Sequence, residues 1–221
     1  MGILRVIQYA EAQARIRARV GDMPDTTQWR RVSDARDLDA LVARMRENGL
    51  QYWIKDLPRA PDTVSMEQHL KARLAEFFVE LERLLPRHRA AIRNWLQAGA
   101  GLIFLDQPCQ WRLWWDELAT ACRRLPGDER ARLIRIHAMV SEHLYRIHNA
   151  SPEMTADLDL EWQWRNELAS KLRAALGGNP FHIGLVMVYG LLQAIQFERS
   201  RALLVSLSRG WEPPDLLRGL A

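Results

Sequence analysis

The sequence predicts an all-α multi-helix bundle, on three observations. Apolar residues recur at helical spacing in nearly every segment, no stretch sustains the alternation of a half-buried strand, and the breaks between periodic runs fall at Gly, Pro and Asn-Gly signals. With 221 residues and 48% apolar content, the chain can bury a sizeable core. It reads as a single helical domain over residues 1–221, with a soft boundary near 98–110 as the place where a division would fall.

The first helix covers residues 3–20. Ile3, Ile7, Ala10, Ala14 and Ala18 share one face, and this small-residue stripe is expected to be the buried one, while Glu11 and Arg15 form an i,i+4 pair. Gly21-Asp22-Met23-Pro24 ends it. Trp29 and Val32 belong to a short helical turn, and Leu38, Leu41, Val42 and Met45 anchor the next helix, which Asn48-Gly49 stops. Ser65 and Gln68 then form a capping-box pattern ahead of Leu70, Leu74, Phe77, Phe78, Leu81 and Leu85.

Pro86 separates off a shorter helix with Ile92, Trp95 and Leu96. Residues 99–105 read as loop or helix start, since four apolar residues with no partner strand are weak grounds for a strand. Trp111, Trp114, Trp115, Leu118, Cys122 and Leu125 follow helical spacing up to Pro126-Gly127. Further stripes are Leu133, Ile136, Val140, Leu144 and Ile147, then Trp164, Leu168, Leu172 and Leu176. Gly177-Gly178-Asn179-Pro180 breaks the chain before a final long helix over 181–209, and a short helix is expected after Pro213-Pro214.

A net charge of +4 invites a nucleic-acid partner, but the 31 basic and 27 acidic residues are interspersed, the pattern of a solvated surface. The start of the chain lacks the organisation of a signal peptide. The most apolar run, 183–195, contains Gln193 and two glycines and falls short of the roughly 20 residues of a membrane span. Cys109 and Cys122 show no CxxC spacing, and a reducing, cytoplasmic location is expected.

Little in the chain points to catalysis. His137, His143 and His148 lack the spacing that turns two imidazoles to one ion, with His137 and His148 roughly 16 Å apart along a helix axis, so they read as helix-edge histidines. The glycines at 177–178 lack the Lys-Ser/Thr of a phosphate loop, and no Gly-x-Ser-x-Gly elbow is present. No cofactor, metal or nucleotide is expected.

Two features suit interaction instead. Nine tryptophans either anchor a partner or fill the core; core packing is favoured, with Trp115 or Trp162 as the exposed members. Arg199 falls on the face of the last helix that carries Leu185, Val188, Leu192, Ile195 and Leu203. An arginine there must snorkel, pair with a buried carboxylate, or face a partner. Pairing with a carboxylate from another helix is the expectation, with Arg201 solvated on the opposite face.

Both ends of the chain resemble a known family. The run Asn179-Pro180-Phe181-His182-Ile183-Gly184, then Tyr189-Gly190-Leu191-Leu192, then Phe197-Glu198-Arg199-Ser200-Arg201-Ala202-Leu203-Leu204 is similar to the closing segment of the C (archaeal) or d (vacuolar) subunit of V/A-type rotary ATPases. Ser208-Arg209-Gly210-Trp211-Glu212-Pro213-Pro214-Asp215 is similar in layout to its Gly-Lys-Leu and Pro-Glu-Glu turn. At the start, Tyr9-Ala10 with Ala14-Arg15-Ile16-Arg17-Ala18 resembles the family's opening helix, and Trp115-Asp116-Glu117-Leu118 its Trp-x-Glu-Ile/Leu element.

The middle of the chain is a loose match. On the register that matches Arg199, the family's acidic residue falls on Phe197, its Asn on Ser200 and its second Arg on Ala202. The chain is also short for the family's three helical repeats. The resemblance implies a C/d-subunit-like helical fold and a non-catalytic connector, possessing no transmembrane span and lying peripherally on the inner face of the membrane. Its partners would be the central stalk subunits and the proteolipid ring, with Arg199, Arg15, Arg17, Trp115 and Trp162 as candidate interaction or structural residues. A helical protein- or ligand-binding module unrelated to ATPases is the alternative.

Overall fold

The computed structural model describes residues 3–57, 61–84, 89–103, 110–148, 158–176 and 183–210. Among these residues the chain forms ten α-helices and no strand, the all-α bundle that the periodicity predicts. They are α1 (Ile3–Gly21), α2 (Thr26–Ser33), α3 (Leu38–Glu47), α4 (Gln51–Ile54), α5 (Thr63–Leu84), α6 (Arg89–Ile103), α7 (Gln110–Arg124), α8 (Gly127–His148), α9 (Leu158–Leu176) and α10 (Ile183–Ser208). Cys109, the 177–180 turn and the segment with Trp211 and Pro213-Pro214 lie outside the described residues.

The longest helix, α10, is the centre of the fold. Its residues are buried without interruption from Ile183 to Ser200, and α1, α3, α5, α6, α8 and α9 all pack against it. A helix that is apolar all round has no solvent face, so it belongs inside a layer of other helices. This changes the setting expected for Arg199: it lies on a helix buried on every side, not on one apolar stripe.

The surrounding helices follow their local signals. Asp25 and Gln28 form a reciprocal capping box at α2, with Gln28 N donating to Asp25 Oδ1 at 2.8 Å and Asp25 N to Gln28 Oε1 at 2.9 Å. Asp37 caps α3 through the Ala40 amide at 2.7 Å. At α5 the cap is Asp62, which accepts from Ser65 N at 2.7 Å; Ser65 itself lies inside the first turn rather than capping it. Asn48 follows α3 and Gly49 takes φ +82°, where an added Cβ would come within 2.8 Å of the Asp22 carbonyl oxygen.

Two expectations are corrected. Tyr9, Ala12 and Ile16 form the buried face of α1, whereas Ile7 is 56% exposed and Ala10, Ala14 and Ala18 are exposed with it. Each face carries isoleucine, and the large aromatic side chain of Tyr9 buries far more area than the alanine methyls of the other face. Residues 99–103 continue α6 as helix. Gly99 lets α7 approach so closely that a Cβ there would lie 3.0 Å from Trp114 Nε1 and 3.4 Å from Leu191 Cδ2, and this packing offsets the roughly 1 kcal/mol that a helical glycine costs.

Candidate functional site

Arg199 projects from α10 toward α9 and α2. Its Nη2 donates to Asn166 Oδ1, and its guanidinium carbon lies 5.6 Å from the centroid of the Trp29 ring. The residue is only 2% exposed. The expected carboxylate is absent: no acidic side chain among the described residues pairs with Arg199, and the nearby charge is a second arginine, Arg173, whose Nη2 donates to the Pro24 carbonyl at 3.4 Å. Burial, and secondly the charge of Arg173, pull the Arg199 pKa down to about 9.

Two donors at this junction lack an acceptor. Arg199 Nε and Trp29 Nε1 are both buried and without a hydrogen-bond partner. At neutral pH Arg199 is still a cation, so the junction holds a fixed charge and can orient an acceptor. It is not built to transfer a proton.

The other candidates occupy different places. Trp162 is 4% exposed, correcting its expected exposure; the guanidinium of Arg165, itself buried, lies 5.0 Å from the centroid of its ring. Trp162 is one turn before Asn166 on α9, which associates it with the Arg199 junction. Sequence spacing had a signal for Arg165 that was missed, because it falls at helical spacing from the buried Leu168 and Leu172.

Trp115 is exposed, as expected, at 51%. It meets His137 edge-on at 4.3 Å between centroids, on the rim of an aromatic cluster. His137 lies 3.9 Å from Trp114 in the same measure and accepts a 3.1 Å hydrogen bond from Trp95 Nε1 through its Nδ1. Both His137 and His143 are buried rather than at a helix edge. Among the described residues no group of His, Cys, Asp and Glu could hold a metal ion.

Arg15 and Arg17 lie on the exposed surface of α1, with Arg15 paired to Glu11 at 2.8 Å. Arg201, expected to be solvated, is half-buried and makes a bidentate pair with Glu198 at 2.9 and 3.0 Å. Burial of α10 on all sides leaves it no fully solvated face. No described helix is long and apolar enough to cross a membrane. Comparison with family models, with curated proteins and with solved structures found no match.

Proposed function

We propose that this chain is a non-catalytic connector of a V/A-type rotary ATPase, or a shortened relative of one. It would couple the central stalk to the membrane proteolipid ring from the cytoplasmic side. Arg199 carries the reading. A buried guanidinium with no carboxylate partner among the described residues costs stability. Its Nε and the Nε1 of Trp29 have no hydrogen-bond partner among the described residues, and since Arg199 is buried a partner subunit would reach it only by parting α10 from α9 or α2. The resemblance has a recurring arginine at this position. The two helices that carry the resemblance at either end, α1 and α10, pack against each other, which supports reading them as one unit.

The test is reconstitution with the central stalk subunits and proteolipid ring of the rotary ATPase encoded in the same genome. The chain is expected to co-migrate with the stalk subunits in size-exclusion chromatography, and Arg199→Met, checked as folded by circular dichroism, to bind them at least about tenfold more weakly. A wild-type chain that stays separate from both stalk and ring ends the proposal.

A further inference from the structure

The outer face of α7 and α8 carries an exposed apolar patch. The two helices pack against each other and are joined by Leu125-Pro126, so they run antiparallel. The edge-on contact of Trp115 with His137 sets their register. Ala119 comes level with Leu133 and Ile134, Asp116 with Arg135 and Ile136, and Arg123 with Asp128 and Glu129, each to within a residue. Stepping about 100° per residue from the buried Trp114 and Leu118 places Trp115 and Ala119 on the α8 side of α7, and the same step from the buried Leu133 and Val140 places Ile134 and Ala138 on the α7 side of α8. Trp115 is 51% and Ile134 45% exposed, and both alanines are exposed with them. The four line the seam between the helices as one patch, and contiguous apolar surface marks an interaction site where single exposed residues do not.

The charged rims of the patch identify what covers it. Farther round each helix, away from the seam, α7 presents Asp116 and Arg123, and α8 presents Asp128 and Arg135, all four exposed. The register puts Asp116 level with Arg135 and Arg123 level with Asp128. The two rims therefore carry opposite charges at the same heights, but two helix widths, roughly 20 Å, keep them apart within one chain. A twofold axis along the seam lays α7 of one copy over α8 of another. Asp116 then lies beside Arg135 of the second copy and Arg123 beside its Asp128, and symmetry repeats both pairs. The same axis brings the Trp115 and Ile134 side chains of the two copies together. A twofold across the helices would also match charges, Asp116 with Arg123, but it displaces the apolar residues of the two copies from one another.

We infer that the α7–α8 face docks a second copy of this chain, in a reversible twofold dimer with Trp115 and Ile134 at its centre and the Asp116–Arg135 and Arg123–Asp128 pairs along its edges. Over the 15 residues of α7 the face measures roughly 22 Å by 20 Å, at the low end of specific interfaces, so a Kd between about 1 and 100 µM is expected. The inference does not rest on the connector reading, since Arg199 and its neighbours lie on α2, α9 and α10.

Sedimentation velocity of the full chain, reduced, from about 1 to about 300 µM tests it. The expected result is a concentration-dependent shift from monomer to dimer with no larger species, because a twofold contact closes on itself. Trp115→Ser and Ile134→Glu should each weaken the dimer by about tenfold or more while the circular dichroism of the monomer is unchanged. Asp116→Arg should also weaken it by about tenfold, and adding Arg135→Asp should restore it to within about threefold of the wild type, a rescue that damage to the fold would not produce. A wild-type chain that stays monomeric throughout, including one that instead sediments with phosphatidylcholine–phosphatidylserine vesicles through Trp115, overturns the assignment. Growth beyond the dimer, or a charge swap that fails to restore it, does the same.

Discussion

Tyr9 and Glu129, 120 residues apart in sequence, are joined by a buried hydrogen bond of 2.6 Å in which the phenol donates to Oε1. The other carboxylate oxygen accepts from the backbone amide of Ile183, the first residue of α10, at 2.8 Å. Glu129 itself lies in the first turn of α8. One buried carboxylate therefore sits at the N-terminal ends of two helices, where the dipoles favour negative charge, and ties α1 to both.

Removing the phenol hydroxyl by Tyr9→Phe should destabilise the chain by about 1–2 kcal/mol, and Glu129→Gln by about 2–3 kcal/mol, since it weakens charge-assisted bonds. Urea denaturation of both single variants and the double variant gives the coupling, expected at about 1 kcal/mol or more. Strictly additive losses would mean that the bond contributes nothing of its own.

Arg199→Met should leave the isolated chain between unchanged and about 2 kcal/mol more stable. The depressed pKa of Arg199 means that keeping it charged costs on the order of a few kcal/mol, against which stand one bond to Asn166 and the contact with Trp29. A loss of several kcal/mol in chemical denaturation would contradict this and point to a carboxylate partner for Arg199.

Acid should destabilise the fold through His137. Burial lowers its pKa from 6.5 to about 4. The unfolded chain therefore takes up the proton first as pH falls, so the contribution is whole above pH 6.5 and is lost as pH drops through the window down to 4. The expected loss is about 2 kcal/mol between pH 7 and pH 5. His137→Gln keeps an acceptor for the Trp95 indole without titrating, and urea midpoints over this range should show a flatter pH dependence for it than for the wild type.

Gly190 and Gly127 should respond oppositely to alanine. A Cβ on Gly190 would lie 2.8 and 2.9 Å from the two Leu96 methyls and 3.0 Å from Leu81 Cδ1, where α5, α6 and α10 converge. Overpacking there should cost about 1–3 kcal/mol, partly offset by helix propensity. Nothing lies within 4 Å at Gly127, so Gly127→Ala should be neutral or stabilising by up to about 1 kcal/mol. Thermal melts of the two variants shifting in the same direction would contradict the packing at Gly190.

What the sequence determined by itself was local. The course of α2 and α3, the burial of Trp29, Val32, Leu41, Val42 and Met45, and the stripe from Leu70 to Leu81 were legible because helix hydrogen bonds and caps join residues within a turn of one another. Tertiary structure decided which face of α1 turns inward, because Tyr9 needed Glu129 to accept its hydroxyl. It kept 99–103 helical through Trp114 and Leu191, buried Trp162, and set Arg199 against Asn166 and Trp29 in place of a carboxylate. Each of these depends on which distant groups share a small desolvated volume, and periodicity along one helix contains no information about the groups across from it.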